Sequence, residues 1–202
     1  MNFQPKTLSF SRGRLPHWEV EYGRYFVTLY LKNAIPTHAA AQIRRYSNEY
    51  NRLPPGSEKA RLKRYVFRLM EEWLDRCDRT GLLVRPEIAS MIMEALDFRT
   101  AHRDWEIPAY VIMPTHLHLF AGRPDGRILD EISLFKRWTS RKAGVLLNMD
   151  GRSFWHSECF DHWSRSAEAE EKYIRYIQQN PVKAGLVEHY LDWPYGSWSK
   201  SR

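Results

Sequence analysis

Nowhere in this chain do eighteen apolar residues follow one another, so the sequence offers no membrane-spanning helix. Its start, MNFQPKTLSFSRGRLPHWEV, lacks the apolar run of a secretory signal, and a cytoplasmic protein is the expectation. Cysteine is scarce. Cys77 and Cys159 have no C-x-x-C spacing, which argues against a disulfide scaffold and predicts two reduced thiols. Internal repeats and low-complexity linkers are also missing, which leaves a solenoid or a disordered adaptor without support.

Positive charge is abundant. Lys plus Arg number 31 against 24 Asp plus Glu, for a net charge of +7. An excess of that size suits a polyanionic partner, because neutralising phosphates releases condensed counterions. Aromatic residues make up 14% of the chain, with eight Trp. Such rings either stack on unpaired bases or fill an aromatic core. A length of 202 residues fits one domain with decoration.

The order of hydrophobic patterns mixes strands with helices. Residues 1–16, carrying Lys6, Arg12 and Arg14, read as an exposed basic arm. The aromatic and β-branched run Tyr25–Leu31 reads as a buried strand. Thr37 begins a helix reaching Tyr50, and Ser57 begins another with Tyr65, Leu69 and Trp73 on one face. Residues 86–98 give a third helix. Trp105–Ala121 reads as a strand pair broken at Pro114-Thr115, and Leu129–Leu147 as a basic amphipathic helix. The final helix covers roughly 167–179, after which Asn180-Pro181 bends the chain. The expectation is one α+β domain over 1–202, with a helical insertion at about 35–100 and a catalytic core at 105–187.

Two groups of residues carry possible chemistry. In a strand, His116 and His118 leave the same face while Leu117 enters the other, which makes half of a metal site or two hydrogen-bonded histidines. On the last helix, Tyr176 and Asn180 are four apart and share a face, so a phenol stands one turn from a carboxamide. Spacing alone does not choose between Tyr173 and Tyr176 as nucleophile. Lys136, Arg137, Arg141 and Lys142 form either a solvated face or a phosphate-tracking one.

Taken in order, these stretches resemble the REP-associated tyrosine transposases, a branch of the HUH (histidine, hydrophobic, histidine) single-strand nucleases. The likeness runs through RLPHW at 14–18 and YFVT at 25–28, then AYVIMPTHLH at 109–118. It continues through Phe135-Lys136, Phe154-Trp155-His156 and Phe160-Asp161, and closes with YIQQNPVKAGLV at 176–187. It covers most of the chain outside 35–85, to which it assigns no role. Thr115 stands where that family commonly has Asn.

The resemblance implies a ferredoxin-like sandwich with an antiparallel sheet, the histidines on a central strand and the tyrosine on a helix across it. It implies that His116, His118 and Asn180 hold Mg²⁺ or Mn²⁺ and that Tyr176 is the nucleophile. Cleavage would then give a 5′-phosphotyrosine and a free 3′-OH, which conserves bond energy for strand joining. The implied substrate is single-stranded or hairpin DNA of repetitive palindromes. Lys136 and Arg137 fall near its backbone, with Arg141, Arg12, Arg14 and Lys183 as further DNA-binding cations and Trp155 and Trp163 as further contacts. A hairpin-binding regulator that does not cut is the alternative, and a replication initiator or relaxase is a weaker one. The protein is expected to act as a monomer or homodimer.

Overall fold

The structure, a computed structural model, describes residues 6–12, 16–76, 81–149 and 153–201. Within the stretch expected as an exposed basic arm, Thr7–Arg12 forms a strand. Strand β1 (Thr7–Arg12) runs antiparallel to β2 (Pro16–Val20) in a separate two-stranded sheet.

The run expected as a buried strand forms β3 (Arg24–Tyr30). After it come the helices α1 (Thr37–Arg52), α2 (Ser57–Asp75) and α3 (Pro86–His102), the last with Pro at its favoured first position. The hairpin β4 (Glu106–Ile112) and β5 (His116–Gly122) leads to α4 (Ile128–Leu146). Strand β6 (Phe160–Trp163) and helix α5 (Ala167–Lys183) follow. The main sheet has the order β4-β5-β3-β6, and every neighbouring pair is antiparallel.

Read as β3-α3-β4-β5-α4-β6, this is the βαββαβ order of a ferredoxin-like sandwich, so the α+β expectation stands. Alternation along the strands sorts two apolar faces. Tyr25, Val27, Leu29, Tyr110, Ile112, Leu117 and Leu119 pack with α3 and α4 through Ile88, Ile92, Leu96, Ile132 and Phe135. Phe26, Val111 and Phe120 pack on the other face with Met70 and Leu74 of α2 and Ile177 of α5. Helix α3 therefore belongs to the sandwich, and the inserted element within 35–100 is the α1–α2 hairpin alone.

Two local expectations change. The buried stripe of α2 is Val66, Met70 and Leu74, one residue beyond the stripe Tyr65, Leu69 and Trp73. Amphipathic aromatics at the edge of the face displaced the reading, since their rings are half-buried while the aliphatic residues are covered. In α5, Asn180-Pro181 does not bend the chain, and Pro181 lies inside the helix. The helix persists because its end is held by paired bonds, Gly185 N–H to the Val182 carbonyl and Leu186 N–H to the Pro181 carbonyl, both at 2.9 Å. Gly185 has φ +67°, the left-handed conformation such an ending requires. Asn180 thus stays on the helical face it shares with Tyr176.

Candidate metal and nucleophile centre

The pleat of β5 sends His116 and His118 to the face covered by α2 and α5, and both side chains are fully buried. Their Nε2 atoms lie 3.1 Å apart. Strand register places Thr28 opposite His118, and the Thr28 hydroxyl lies 3.0 Å from His118 Nδ1. Thr115, where the resemblance led to Asn, donates its hydroxyl to the Leu74 carbonyl at 3.2 Å. With its proton committed there, the same oxygen accepts from His116 Nδ1 at 3.4 Å, which leaves His116 Nε2 as a lone pair facing the centre.

Helix α2, for which the sequence pattern predicts no functional role, brings a carboxylate into this cluster. Glu71 is 2% exposed, and its Oε2 lies 3.1 Å from His118 Nε2. Ligand atoms of Glu71, His116 and His118 all fall within 4.8 Å of one another. One turn on, Asp75 sits at the margin, with Oδ1 4.0 Å from His116 Nε2 and Oδ2 3.1 Å from Lys183 Nζ. Glu71 and Asp75 are four apart and each follows a buried residue, Met70 and Leu74, at the edge of the apolar stripe, and that spacing is the signal that could have found them.

From α5, the Tyr176 hydroxyl donates a short hydrogen bond to Glu71 Oε2. The Tyr176 ring meets that of His118 edge-on, with centroids 5.5 Å apart. Tyr173 is different. It stacks on Phe26 at 5.1 Å and packs against Phe120, which makes it part of the core. Asn180 is completely buried, and neither its Oδ1 nor its Nδ2 has a hydrogen-bond partner among the described residues; Glu71 Oε1 and Asp75 Oδ1 are in the same condition. Orphaned oxygens beside two imidazoles are a costly arrangement unless a cation takes their lone pairs. The donor set of imidazole, carboxylate and carboxamide fits Mn²⁺ or a similar divalent ion.

Burial, followed by the Glu71 charge, raises the Tyr176 phenol far above its ordinary value, so it is held as a neutral donor. Burial also drives His116 down to about 3, with repulsion from His118 adding to it. For Glu71, burial pushes upward, yet attraction and hydrogen bonding from His118 win and bring it down to about 2. Asp75 is raised by burial against the opposing pull of Lys183.

The expected DNA-binding cations divide. Lys183 reaches the centre, paired with Asp75 and 5.7 Å from the Tyr176 ring centroid. Lys136, Arg137 and Arg141 do not. They border a groove of about 990 Å³ on α4, across the sheet from the histidines, and Lys136 donates to the Ser157 carbonyl at 2.7 Å. Trp155 is buried, and its indole N–H binds the Thr139 hydroxyl at 2.8 Å, so it serves the core instead of stacking on bases. Arg165 lies over Trp163 at 5.1 Å. Arg14, the side chain of Arg12, and Cys77 lie outside the described residues.

No protein-family model matches the chain. It is 30% identical over 98 residues to a REP-associated tyrosine transposase of Escherichia coli K12, across 48% of this chain and 57% of the relative. A Haemophilus influenzae protein provisionally given the same name is 29% identical over 120 residues, across 52% of this chain and 68% of its own. The chain thus spans little more than half the length of the E. coli relative. Among solved structures, a REP-associated tyrosine transposase bound to a REP hairpin superposes with a TM-score of 0.58 at 20% identity. That superposition covers 94% of this chain and 84% of the other, and it supports the sandwich fold. In sequence, this chain is similar over about half its length to proteins named REP-associated tyrosine transposase, and in fold it is similar to a solved structure of that name.

Proposed function

We propose that this protein is a divalent-cation-dependent endonuclease and strand transferase acting on single-stranded or hairpin DNA, with Tyr176 as nucleophile. One observation carries the reading. The Tyr176 hydroxyl, two imidazole nitrogens and the Glu71 carboxylate meet in one buried cluster beside the unpartnered carboxamide of Asn180. The names of the sequence relatives and the hairpin held by the structural neighbour support the class of reaction and of substrate.

His116, His118, Asn180 and Glu71 are the residues that would hold the cation. A bound Mg²⁺ or Mn²⁺ would supply charge withdrawal from the scissile phosphate and would offset the cost of ionising the phenol. The chain's own residues do the rest. Glu71 already faces the phenolic proton and is its acceptor, leaving the Tyr176 oxygen free to form a bond to phosphorus. The bond from phosphorus to the 3′ oxygen breaks, and that oxygen leaves as a hydroxyl on taking up a proton. The product is a 5′-phosphotyrosyl linkage, and attack by a 3′-OH reverses it without ATP. Both histidines are fully covered, so a phosphodiester enters only when Tyr176 and Glu71 part.

The test uses labelled hairpin DNA with a single-stranded extension, in the presence of Mn²⁺. Wild-type protein should give an SDS-resistant adduct, and Tyr176→Phe should give none while binding the DNA with nearly unchanged affinity. A full adduct yield from Tyr176→Phe would move the nucleophile elsewhere. Binding without any adduct from the wild type would favour the non-cleaving hairpin binder.

A further inference from the structure

Charge along the α1–α2 hairpin is segregated. Residues 37–70 hold eight Lys and Arg against two Glu, a net +6, and the acids Glu71, Glu72 and Asp75 gather at the end of α2, which brings the whole hairpin to +3. The α1–α2 hairpin interrupts the βαββαβ order of the sandwich, so its charge is not a by-product of building the sheet.

The arginines are also ordered. Arg61, Arg64 and Arg68 follow one another at three and four residues, which places them in one stripe, and all three are exposed. The same stripe continues from Arg64 and Arg68 to Glu71 and Asp75, in steps of four, three and four. From Arg61 to Glu71 the helix rises about 15 Å. A cationic track therefore begins at the distal end of α2 and ends on the carboxylate that accepts from Tyr176. Tyr65 lies within it, half-buried, its ring set edge-on to Tyr46 of α1 at 5.0 Å. Arg61, Arg64, Tyr65 and Arg68 border a groove of about 490 Å³, with Glu49 and Glu58 also on its wall. Among the described residues, the one acid beside Arg68 is the exposed Glu72 at a loose 3.9 Å, its guanidinium lies over the Tyr65 ring at 5.6 Å, and no acid pairs with Arg61 or Arg64.

We infer that the α1–α2 hairpin is a single-strand guide. Arg61, Arg64 and Arg68 track consecutive phosphates of unpaired DNA, and Tyr65 offers an aromatic edge to a base, so that the strand is led along α2 to Tyr176. This rests on the nuclease reading above and adds to it a site for the unpaired part of the substrate. A solvated basic helix would explain the charge but not its alignment with Glu71 and Asp75. The α4 cations cannot take this role alone, because a strand held there must round the sheet edge before reaching Tyr176.

The experiment is fluorescence anisotropy with two probes, a short DNA hairpin and the same hairpin bearing an oligothymidine extension of about ten nucleotides. Wild type is compared with the triple variant Arg61→Ala/Arg64→Ala/Arg68→Ala, and circular dichroism checks that both are folded. The variant should bind the extended probe at least about tenfold more weakly, and its log–log salt slope should be shallower by about 2, one increment of roughly 0.7 per lost phosphate contact. Its affinity for the plain hairpin should stay within about twofold. If the triple variant does not fold, Arg64→Ala alone should reduce the slope by about 0.7. A folded variant that keeps the full gain from the extension overturns the guide and leaves the nuclease reading standing. Failure of the wild type to bind either probe removes both.

Discussion

A histidine binds a cation through a nitrogen that carries no proton, so the hydroxyls behind the imidazoles matter as much as the imidazoles. Thr115 shows how little of this is visible in a sequence. Its departure from Asn looked like a detail of the turn, yet it links the Leu74 carbonyl to His116 Nδ1 and ties α2 to β5. That His116 and His118 share a strand face, and Tyr176 and Asn180 a helix face, is legible because period-two and period-3.6 spacing dictate it, whereas spacing does not single out Tyr176 over Tyr173. Glu71 was not legible, since its meaning depends on packing between elements far apart in the chain. Cys159 is a simpler case. Burial pushes its thiol up to about 12, with Asp161 adding to the effect. Between the ordinary thiol range and that value the unfolded chain loses the proton and the folded one keeps it, so alkaline pH removes stability. Iodoacetamide at about pH 8.5 should therefore modify Cys159 only after denaturation, as read by peptide mass spectrometry. Rapid labelling of the native protein would contradict the assignment.

Among the elements, α5 and α2 are the two helices that meet at the histidines, and each departs at one point from what its sequence pattern predicts. The motif Asn180-Pro181 looked like a bend because proline removes a helical donor, but the paired bonds at Gly185 and Leu186 hold the last turn in place. The position of Asn180 depends on that ending. Gly185→Ala places a side chain on a left-handed residue and should cost about 1 kcal/mol. Chemical denaturation measures the loss, and a stability equal to wild type would mean that the ending does not need glycine. In α2 the pattern of aromatics suggested a buried face one residue away from the true one. That error concealed Glu71, which follows Met70 at the edge of the buried stripe.

For the whole molecule, the sandwich has one structural face and one working face. Helices α3 and α4 close the first, while α5 and the inserted α1–α2 hairpin cover the second and enclose the histidines. The fold class was readable because strand and helix patterns alternate in the order the βαββαβ sandwich needs. The extent of the insertion was not, since α3 has the same helical signature whether it decorates the domain or builds it. Net charge likewise points to a polyanion, but the stripe of Arg61, Arg64 and Arg68 gains meaning only once α2 is seen to end beside Tyr176. The basic surface of α4 lies behind the sheet, on the face away from the histidines.

The claim on which all of this depends is that residues from the sheet, α2 and α5 surround a single cation. Isothermal titration of Mn²⁺ into the DNA-free protein measures it without recourse to activity. Wild type should bind one ion per chain, His116→Ala/His118→Ala should lose that binding, and Glu71→Gln should weaken it about tenfold, or about 1.4 kcal/mol. Equal Mn²⁺ binding by the wild type and the double histidine variant would contradict the account.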